Sequence, residues 1–338
     1  GVLEHSLRVV LDVVRRYDVD GVHVDDYFYP YPIAGPDSSE VPFPDSASYA
    51  RYRARGGTLD RSDWRRHNVD EFVRLLYRRT KALKPWVKVG ISPFGIWRPG
   101  YPASIQGFDA YEKLAGDSKK WINEGWVDYF TPQLYWPIAQ TAQSYPVLLD
   151  WWLGENTKGR HMWVGHSASR AAAGTFKRDE LNAQIRITRE TAQRDSARLR
   201  ATGDVHFSMK ALMPSPDDSL GQRPAPHLLR ELYTQDALVP ASPWLGRVRP
   251  AAPTARLQRD ATSREWVLRL TAGARARWHT VRVQNGATWQ AQVLPASQTA
   301  VVVGSAELAE APVVWVSAVD RNGNESSARR VLMPRGAR

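Results

Sequence analysis

Cysteine is absent from all 338 residues, so neither a disulfide nor a thiolate metal site can form within the chain. That absence fits oxidising and reducing compartments alike. No apolar run is long enough to span a bilayer. None of the segments that read as strands is followed by a glycine-rich phosphate loop, which removes dinucleotide and P-loop sites from consideration. Basic tails, zinc-finger spacings and RNA-binding aromatic signatures are also missing, despite a net charge of +11 from 46 Lys and Arg against 35 Asp and Glu. The surplus is mostly arginine scattered along helices such as 74–79 and 186–200. It reads as solvated helix faces, compatible with attraction to an anionic cell wall. No nucleic-acid partner, metal or cofactor is expected.

What is present is a repeated helix-then-strand pattern. Residues 2–16 carry an apolar stripe of Val2, Leu3, Leu7, Val10, Leu11 and Val14 opposite Glu4, Arg8, Asp12 and Arg15. A turn at Tyr17-Asp18 leads into a strand ending near Asp25. Helix 68–83 then precedes strand 87–92, helix 111–124 precedes 127–133, helix 145–153 precedes 162–166, and helix 177–200 precedes 205–209. Such a series implies a parallel sheet with crossover helices. The strands end in aromatic, Gly, Pro or polar residues, where a β/α barrel keeps its functional loops. The expected fold class is therefore α/β, a TIM-type (β/α) barrel over residues 1–240. The chain opens at Gly1 directly into a helix, with no initiator methionine, signal peptide or lipidation motif. The expectation is a chain that begins inside its fold, with the first strands of an eight-stranded barrel upstream of residue 1.

A Pro-rich passage at 241–253 reads as a linker. Beyond it, over 254–338, the period changes to two: 266–270, 279–283, 299–303 and 313–319 alternate like half-buried strands, with turn signals at Asn285-Gly286 and Asn322-Gly323. This reads as a small β-sandwich of immunoglobulin or fibronectin type III character.

The chemistry concentrates at Asp20-Gly21-Val22-His23-Val24-Asp25-Asp26-Tyr27-Phe28-Tyr29-Pro30. Val22 and Val24 fall on one face of the strand, Gly21, His23 and Asp25 on the other. A barrel strand has this form: one face packs on helices, the other lines the barrel, and the C-terminal end opens into a site. The bland alternative is a polar strand end whose Asp caps the next turn. Nine of the 14 tryptophans lie between Trp64 and Trp163. Aromatic rings stack on the C–H faces of sugars while neighbouring polar groups bind the hydroxyls. Trp64, Trp86, Trp121 and Trp126 read as core, whereas Trp97 and Trp136 sit in Pro- and Gly-rich loops and read as cleft residues.

The first of these segments, together with Trp64-Arg65-Arg66-His67-Asn68-Val69, Gly90-Ile91-Ser92-Pro93-Phe94-Gly95-Ile96-Trp97-Arg98 and Trp126-Val127-Asp128-Tyr129-Phe130-Thr131-Pro132-Gln133-Leu134-Tyr135-Trp136, resembles the glycosyl hydrolase-like 10 family over about residues 1–240. The resemblance implies a β/α barrel before a fibronectin-like domain. It also implies action on peptidoglycan glycan strands and an extracytoplasmic place in the periplasm or cell envelope, with any membrane contact through a lipid anchor upstream. The Asp20 to Asp25 segment also resembles the fourth-strand motif of chitinase-like barrels, where a Glu stands at the position held here by Tyr27. Asp25 matches equally well the nucleophilic Asp of the α-amylase clan, so the two likenesses assign it different roles.

Glycosidic hydrolysis normally uses two carboxyl groups. Asp25 is the expected nucleophile or electrostatic stabiliser and Asp26 its partner, provided the strand ends at Asp25 and Asp26 turns inward. The second carboxylate could also lie upstream of the chain. Asp128 reads as a structural ion pair with Lys88. His23 sits one layer below Asp25, either orienting it or serving as a core histidine. Tyr27, Tyr29, Ser92, Trp97, Arg98, Gln133, Tyr135, Trp136 and His166 are expected to line the cleft. Two rivals remain: a catalytically idle glycan-binding barrel, and a metal-dependent hydrolase using His23, Asp25 and Asp26. The latter must make three ligands within four residues of one strand converge.

Overall fold

The computed structural model describes residues 1–177, 179–194, 201–214, 216, 223–285, 287–305 and 312–332. The chain forms two compact units, Gly1–Leu228 and Leu229–Arg338.

In the first unit the elements follow as α1 (Val2–Arg16), β1 (Gly21–Val24), α2 (Ser46–Ala54), α3 (Arg61–Leu83), β2 (Lys88–Ile91), α4 (Ala110–Lys113), α5 (Ser118–Glu124), β3 (Tyr129–Phe130), α6 (Tyr145–Glu155), β4 (His161–His166), α7 (Ala168–Ala172), α8 (Glu180–Arg194), β5 (Ala201–His206) and α9 (Met209–Leu212), with α10 (Ala225–Glu231) crossing the division between units. The five strands are parallel and lie in chain order, β1-β2-β3-β4-β5, with β1 at one edge of this half-barrel sheet. The period-two pattern decides which way each side chain points. Ile91, Phe130, Met162 and Val164 join Trp121, Tyr145, Leu148 and Trp152 in one core, all fully buried. Each large side chain taken out of water this way contributes roughly 1.5–3 kcal/mol. Val89 instead meets Leu7 of α1 and Leu76 of α3 in a smaller cluster.

Across the opposite face the rings of His23, Tyr129 and Trp163 stack in succession, His23 on Tyr129 at 5.6 Å and Tyr129 on Trp163 at 4.2 Å between centroids. This layer requires Gly90 on the intervening strand, where a Cβ would come within 1.9 Å of the Tyr129 ring.

The elements differ from the sequence reading where local chemistry intervenes. The helix α3 begins at Arg61, not 68, because the Asp60 side chain caps it by accepting from Asp63 N–H at 2.8 Å. The helix expected at 111–124 is broken into α4 and α5: Ala115 takes a left-handed φ of 52°, and Asp117 caps the restart. The last strand of the unit is Ala201–His206 rather than 205–209, and Met209 starts α9. Of the helix expected at 177–200, Glu180–Arg194 forms and 195–200 lie outside the described residues.

The second unit is a β-sandwich. Strands β6 (Thr254–Arg259), β7 (Trp266–Thr271) and β10 (Ala300–Gly304) make a three-stranded sheet ordered β10-β7-β6. Strands β8 (Trp278–Asn285), β9 (Thr288–Pro295), β11 (Val313–Val319) and β12 (Arg329–Val331) make a four-stranded sheet ordered β12-β11-β8-β9. Both are antiparallel, and Leu257, Trp266, Leu268, Val281, Val314 and Val316 close the core between them. Gly286 of the expected Asn285-Gly286 turn lies outside the described residues, whereas Gly323 takes the left-handed φ of 80° that its turn requires. Residues expected as barrel end and linker belong to this unit. Val293 N–H donates to Asp236 at 3.0 Å, Ser242 N–H to Asn322 O at 2.8 Å, and Asn324 Nδ2 to Gly246 O at 3.0 Å. Among the described residues no helix is long and apolar enough to cross a membrane.

Candidate active site

Strand β1 ends at Val24, whose carbonyl still accepts the Ser92 N–H at 2.9 Å. The chain then bends, with Phe28 N–H donating to Asp26 O at 3.0 Å. The bend frees Asp26 from strand alternation, the condition for two adjacent residues to serve one site. Asp25 Oδ1 accepts from Gln133 Nε2 and from the Asp26 backbone N–H, both at 2.9 Å. The Gln133 amide also donates to Ser92 O at 3.0 Å, so it ties the ends of β1, β2 and β3 together.

Asp26 is only 4% exposed, and its Oδ2 accepts a short 2.5 Å hydrogen bond from the Tyr31 hydroxyl. Burial raises the Asp26 carboxyl above the usual carboxylate range; the Tyr31 hydrogen bond opposes that shift and the Asp25 charge adds to it. Tyr135 is held protonated far above the usual phenol range, by burial and then by the charges of Asp25 and Asp26. Its ring stacks on Phe207 at 5.9 Å. Trp136 meets Phe94 edge to face at 5.6 Å, Phe94 meets Phe108 at 5.2 Å, and Phe108 stacks on Tyr31 at 5.4 Å. Tyr27 stands 73% exposed beside Tyr31.

The structure thus brings Asp25, Asp26, Tyr27, Gln133, Tyr135 and Trp136 to one end of the sheet. His23, a layer below, has its Nδ1 within 3.0 Å of Tyr129 Oη, and lost hydration of the ring depresses its pKa against the pull of Asp25. Ser92 is buried with its hydroxyl donated to Thr131 O at 3.0 Å, so its backbone rather than its side chain serves the site. Trp97 and Arg98 belong to a neighbouring cluster. Trp97 Nε1 donates to Asp117 at 3.2 Å, and Arg98 lies over Tyr111 at 4.6 Å while pairing with Asp109. Tyr29 packs on Phe43 at 5.1 Å under Arg65.

His166 is the clear departure from the expected cleft. It shares the helix-facing side of β4 with Met162 and Val164, fully buried, with Nε2 at 2.8 Å from Asp204 and Nδ1 at 3.2 Å from Gln184 of α8. Trp163 and Gly165 face the other way. Beside it, burial and then the His166 charge push His206 down to about 4. Asp128 is also on the helix side, fully buried, ion-paired with Lys81 of α3 and accepting Val89 N–H at 2.7 Å.

Tyr31 was not foreseen. The period-two run Tyr27, Tyr29, Tyr31 was the available signal, continuing through the flanking prolines. Among the described residues no group of three or more His, Asp or Glu side chains is arranged to hold a metal ion.

A parallel β/α half-barrel with a carboxylate pair, an amide and aromatics at the carboxyl end of its strands is of the class that carries its functional groups on the loops after the strands. Comparison with known sequences narrows this. The chain belongs to the glycosyl hydrolase-like 10 family, whose sequence model matches residues 2–178. It is 39% identical over 249 residues to glycosyl hydrolase YngK of Bacillus subtilis strain 168, an alignment covering 72% of this chain and 46% of that protein. It is 36% identical over 148 residues to glycosyl hydrolase DigH of Escherichia coli K12, covering 43% of this chain and 32% of that one. The chain therefore spans less than half the length of these curated relatives. Among solved structures, an Fn3-like protein from Clostridium thermocellum aligns with 26% of this chain and 97% of its own, at 20% identity and a TM-score of 0.20.

Proposed function

We propose that the half-barrel hydrolyses O-glycosyl bonds of a bacterial cell-wall glycan, peptidoglycan strands or a related polysaccharide, with Asp26 as general acid and Asp25 as nucleophile or electrostatic stabiliser. The observation that carries this reading is two adjacent carboxyls in unlike settings. Asp26 is buried with its pKa raised, so it can hold a proton for the leaving oxygen. Asp25 is exposed, and its Oδ1 accepts a hydrogen bond from the Gln133 amide. Environments that differ in this way are how two carboxyls divide acid and charge-stabilising roles. Tyr27, Gln133, Tyr135 and Trp136 supply aromatic faces and hydrogen-bonding groups for sugar rings. The reading places the protein outside the cytoplasm, at the cell envelope where its substrate is, with a lipid anchor upstream as the means of any membrane attachment.

The test is product analysis after incubation with purified glycan strands, peptide-free and peptide-bearing. New reducing ends should form, and Asp25→Asn and Asp26→Asn should each lower their rate by orders of magnitude with the circular dichroism unchanged. Wild-type turnover in Asp25→Asn would remove it from the pair. A second reading, a glycan-binding barrel without turnover, is favoured by Tyr27, exposed where chitinase-like barrels carry their acid. Binding of the strands with no new ends would select it.

A further inference from the structure

The fully buried His166 has no part in the chemistry proposed above, yet it stands at the centre of a polar relay between β4, β5 and α8. Its Nε2 lies 2.8 Å from Asp204 Oδ1 and its Nδ1 3.2 Å from Gln184 Oε1. The rings of Tyr145 and His206 stack on it at 5.7 and 5.6 Å between centroids and fix its plane. Burial would raise the Asp204 carboxyl, but the hydrogen bond and charge of His166 hold it below the usual carboxylate range, so it acts as an acceptor only.

The neighbours of the Gln184 amide fix its orientation. Its Nε2 donates to Trp136 O at 3.1 Å and to Glu180 Oε1 at 3.0 Å, which turns Oε1 towards His166. Glu180, one turn earlier on α8, also accepts Ile138 N–H at 2.7 Å, and Arg170 of α7 donates to Tyr135 O at 2.8 Å. Backbone groups of Tyr135, Trp136 and Ile138, in the loop after β3, are thus held by side chains. A buried His–Asp pair is not needed to pack β4 on β5, since apolar side chains of similar volume serve stability as well. Apolar side chains could not aim an amide donor at the Trp136 carbonyl.

We propose that His166 and Gln184 are positioning residues for the Tyr135–Trp136 loop: Asp204 orients His166, His166 orients Gln184, and Gln184 fixes the backbone that carries the two rings. The proposal rests on the glycan reading above. Asp25 is held separately, through Gln133, so loosening the loop weakens the grip on substrate and spares the chemical step.

Two variants of the full chain test this. Gln184→Met keeps the length of the side chain and removes the amide. His166→Leu combined with Asp204→Leu exchanges the pair for apolar side chains, which leaves Gln184 unheld without stranding either charge of the pair. In both variants hydrogen exchange of a peptide covering 134–140 should quicken about tenfold, the scale of one lost hydrogen bond, while a peptide covering 145–153 keeps its rate. With glycan strands as substrate, KM should rise about tenfold and kcat stay within about twofold. Unchanged exchange at 134–140 in both variants overturns the proposal. Equal acceleration in the two peptides also overturns it, since the relay would then serve overall stability alone. A fall in kcat at unchanged KM does the same, by placing the effect on the carboxylates. Exchange needs no substrate: a parent chain that neither binds nor cleaves the strands ends the glycan reading, and the exchange rates still decide whether the relay holds the loop.

Discussion

Asp25 and Asp26 differ by one bond in the chain and by most of their solvent exposure, and Tyr31 is the side chain that regulates the buried one. Its hydroxyl donates to Asp26 Oδ2 at 2.5 Å and so favours the charged carboxylate, against the burial that favours the neutral acid. The charged and titratable groups that bear on Asp26 are Asp25, Tyr31 and Tyr135, with the Gln133 amide as a neutral donor. Removing the hydroxyl in Tyr31→Phe keeps the ring on Phe108 but deletes that donor, so the Asp26 pKa must rise further. An acid that works protonated loses activity as pH rises through its pKa. The alkaline limb of the kcat/KM profile should therefore move to higher pH in Tyr31→Phe. An unmoved limb would mean that Asp26 is not the titrating acid. Trp136→Ala tests the aromatic contribution separately: glycan affinity should fall by roughly 1–3 kcal/mol. If the variant instead unfolds while its folded fraction binds normally, Trp136 is a packing residue.

At the scale of single elements, β2 shows how closely the inner layer is built. Gly90 has the Tyr129 ring directly over it, and a methyl group there would lie 1.9 Å from a ring atom. Gly90→Ala must displace Tyr129 and with it the His23 and Trp163 rings, costing about 1–3 kcal/mol in urea-induced unfolding of the half-barrel. A cost near zero would mean the ring layer is loose. Much of this arrangement was legible in the sequence, because strand alternation is a two-residue signal that packing obeys. The five helix-then-strand units, the sandwich strands at 266–271 and 313–319 and the inward face of Asp25 all follow from it. His166 shows the rule being neglected: its terminal position suggested the cleft, yet alternation from Val164 puts it against α8. Asp26 shows the rule lapsing, since a bend after Val24 releases it and no residue pattern announces the bend. Strands β6, β9 and β12 escaped notice because they are less buried and weakly alternating. The break between α4 and α5 rests on one left-handed alanine, which composition does not favour.

For the molecule as a whole, the two units should answer acid differently, because their buried groups titrate in different directions. In the half-barrel, burial depresses His206, and lost hydration of the ring depresses His23 although that residue is exposed, so these histidines are neutral when folded and more readily charged when unfolded. Their effect on stability is harmless above the ordinary histidine pKa and grows adverse as pH falls towards the folded values. Asp26 and Asp117 work the other way. Burial raises both carboxyls, so the strain of holding them charged is relieved as pH falls through their folded pKa values. The two trends oppose each other in the half-barrel, whereas its carboxyls held low, Glu4, Asp37, Asp45, Glu71 and Asp204, lose their contribution only in the ordinary carboxylate range and below. The sandwich has no such offset among its described groups with shifted pKa values. His279 is fully buried and depressed by that burial, while Glu325 is lowered despite burial by Ser317 and Arg282, and Asp260 is lowered by the backbone N–H groups of Ser263 and Thr262. Its stability should therefore fall steadily below the ordinary histidine pKa, by up to about 1.4 kcal/mol per pH unit from His279. Glu325 adds a further loss as pH falls from the ordinary carboxylate range through its own lower folded value. Hydrogen exchange of the full chain, read by mass spectrometry on peptides from 266–285 and from 145–166, measures the two units in one sample. Protection of the first set should decline more steeply between pH 6.5 and 5 than protection of the second, after correction for the pH dependence of intrinsic exchange. His279→Phe should flatten the decline in the sandwich peptides alone. Parallel declines in both sets, unchanged in His279→Phe, would show that His279 is not what makes the sandwich acid-sensitive.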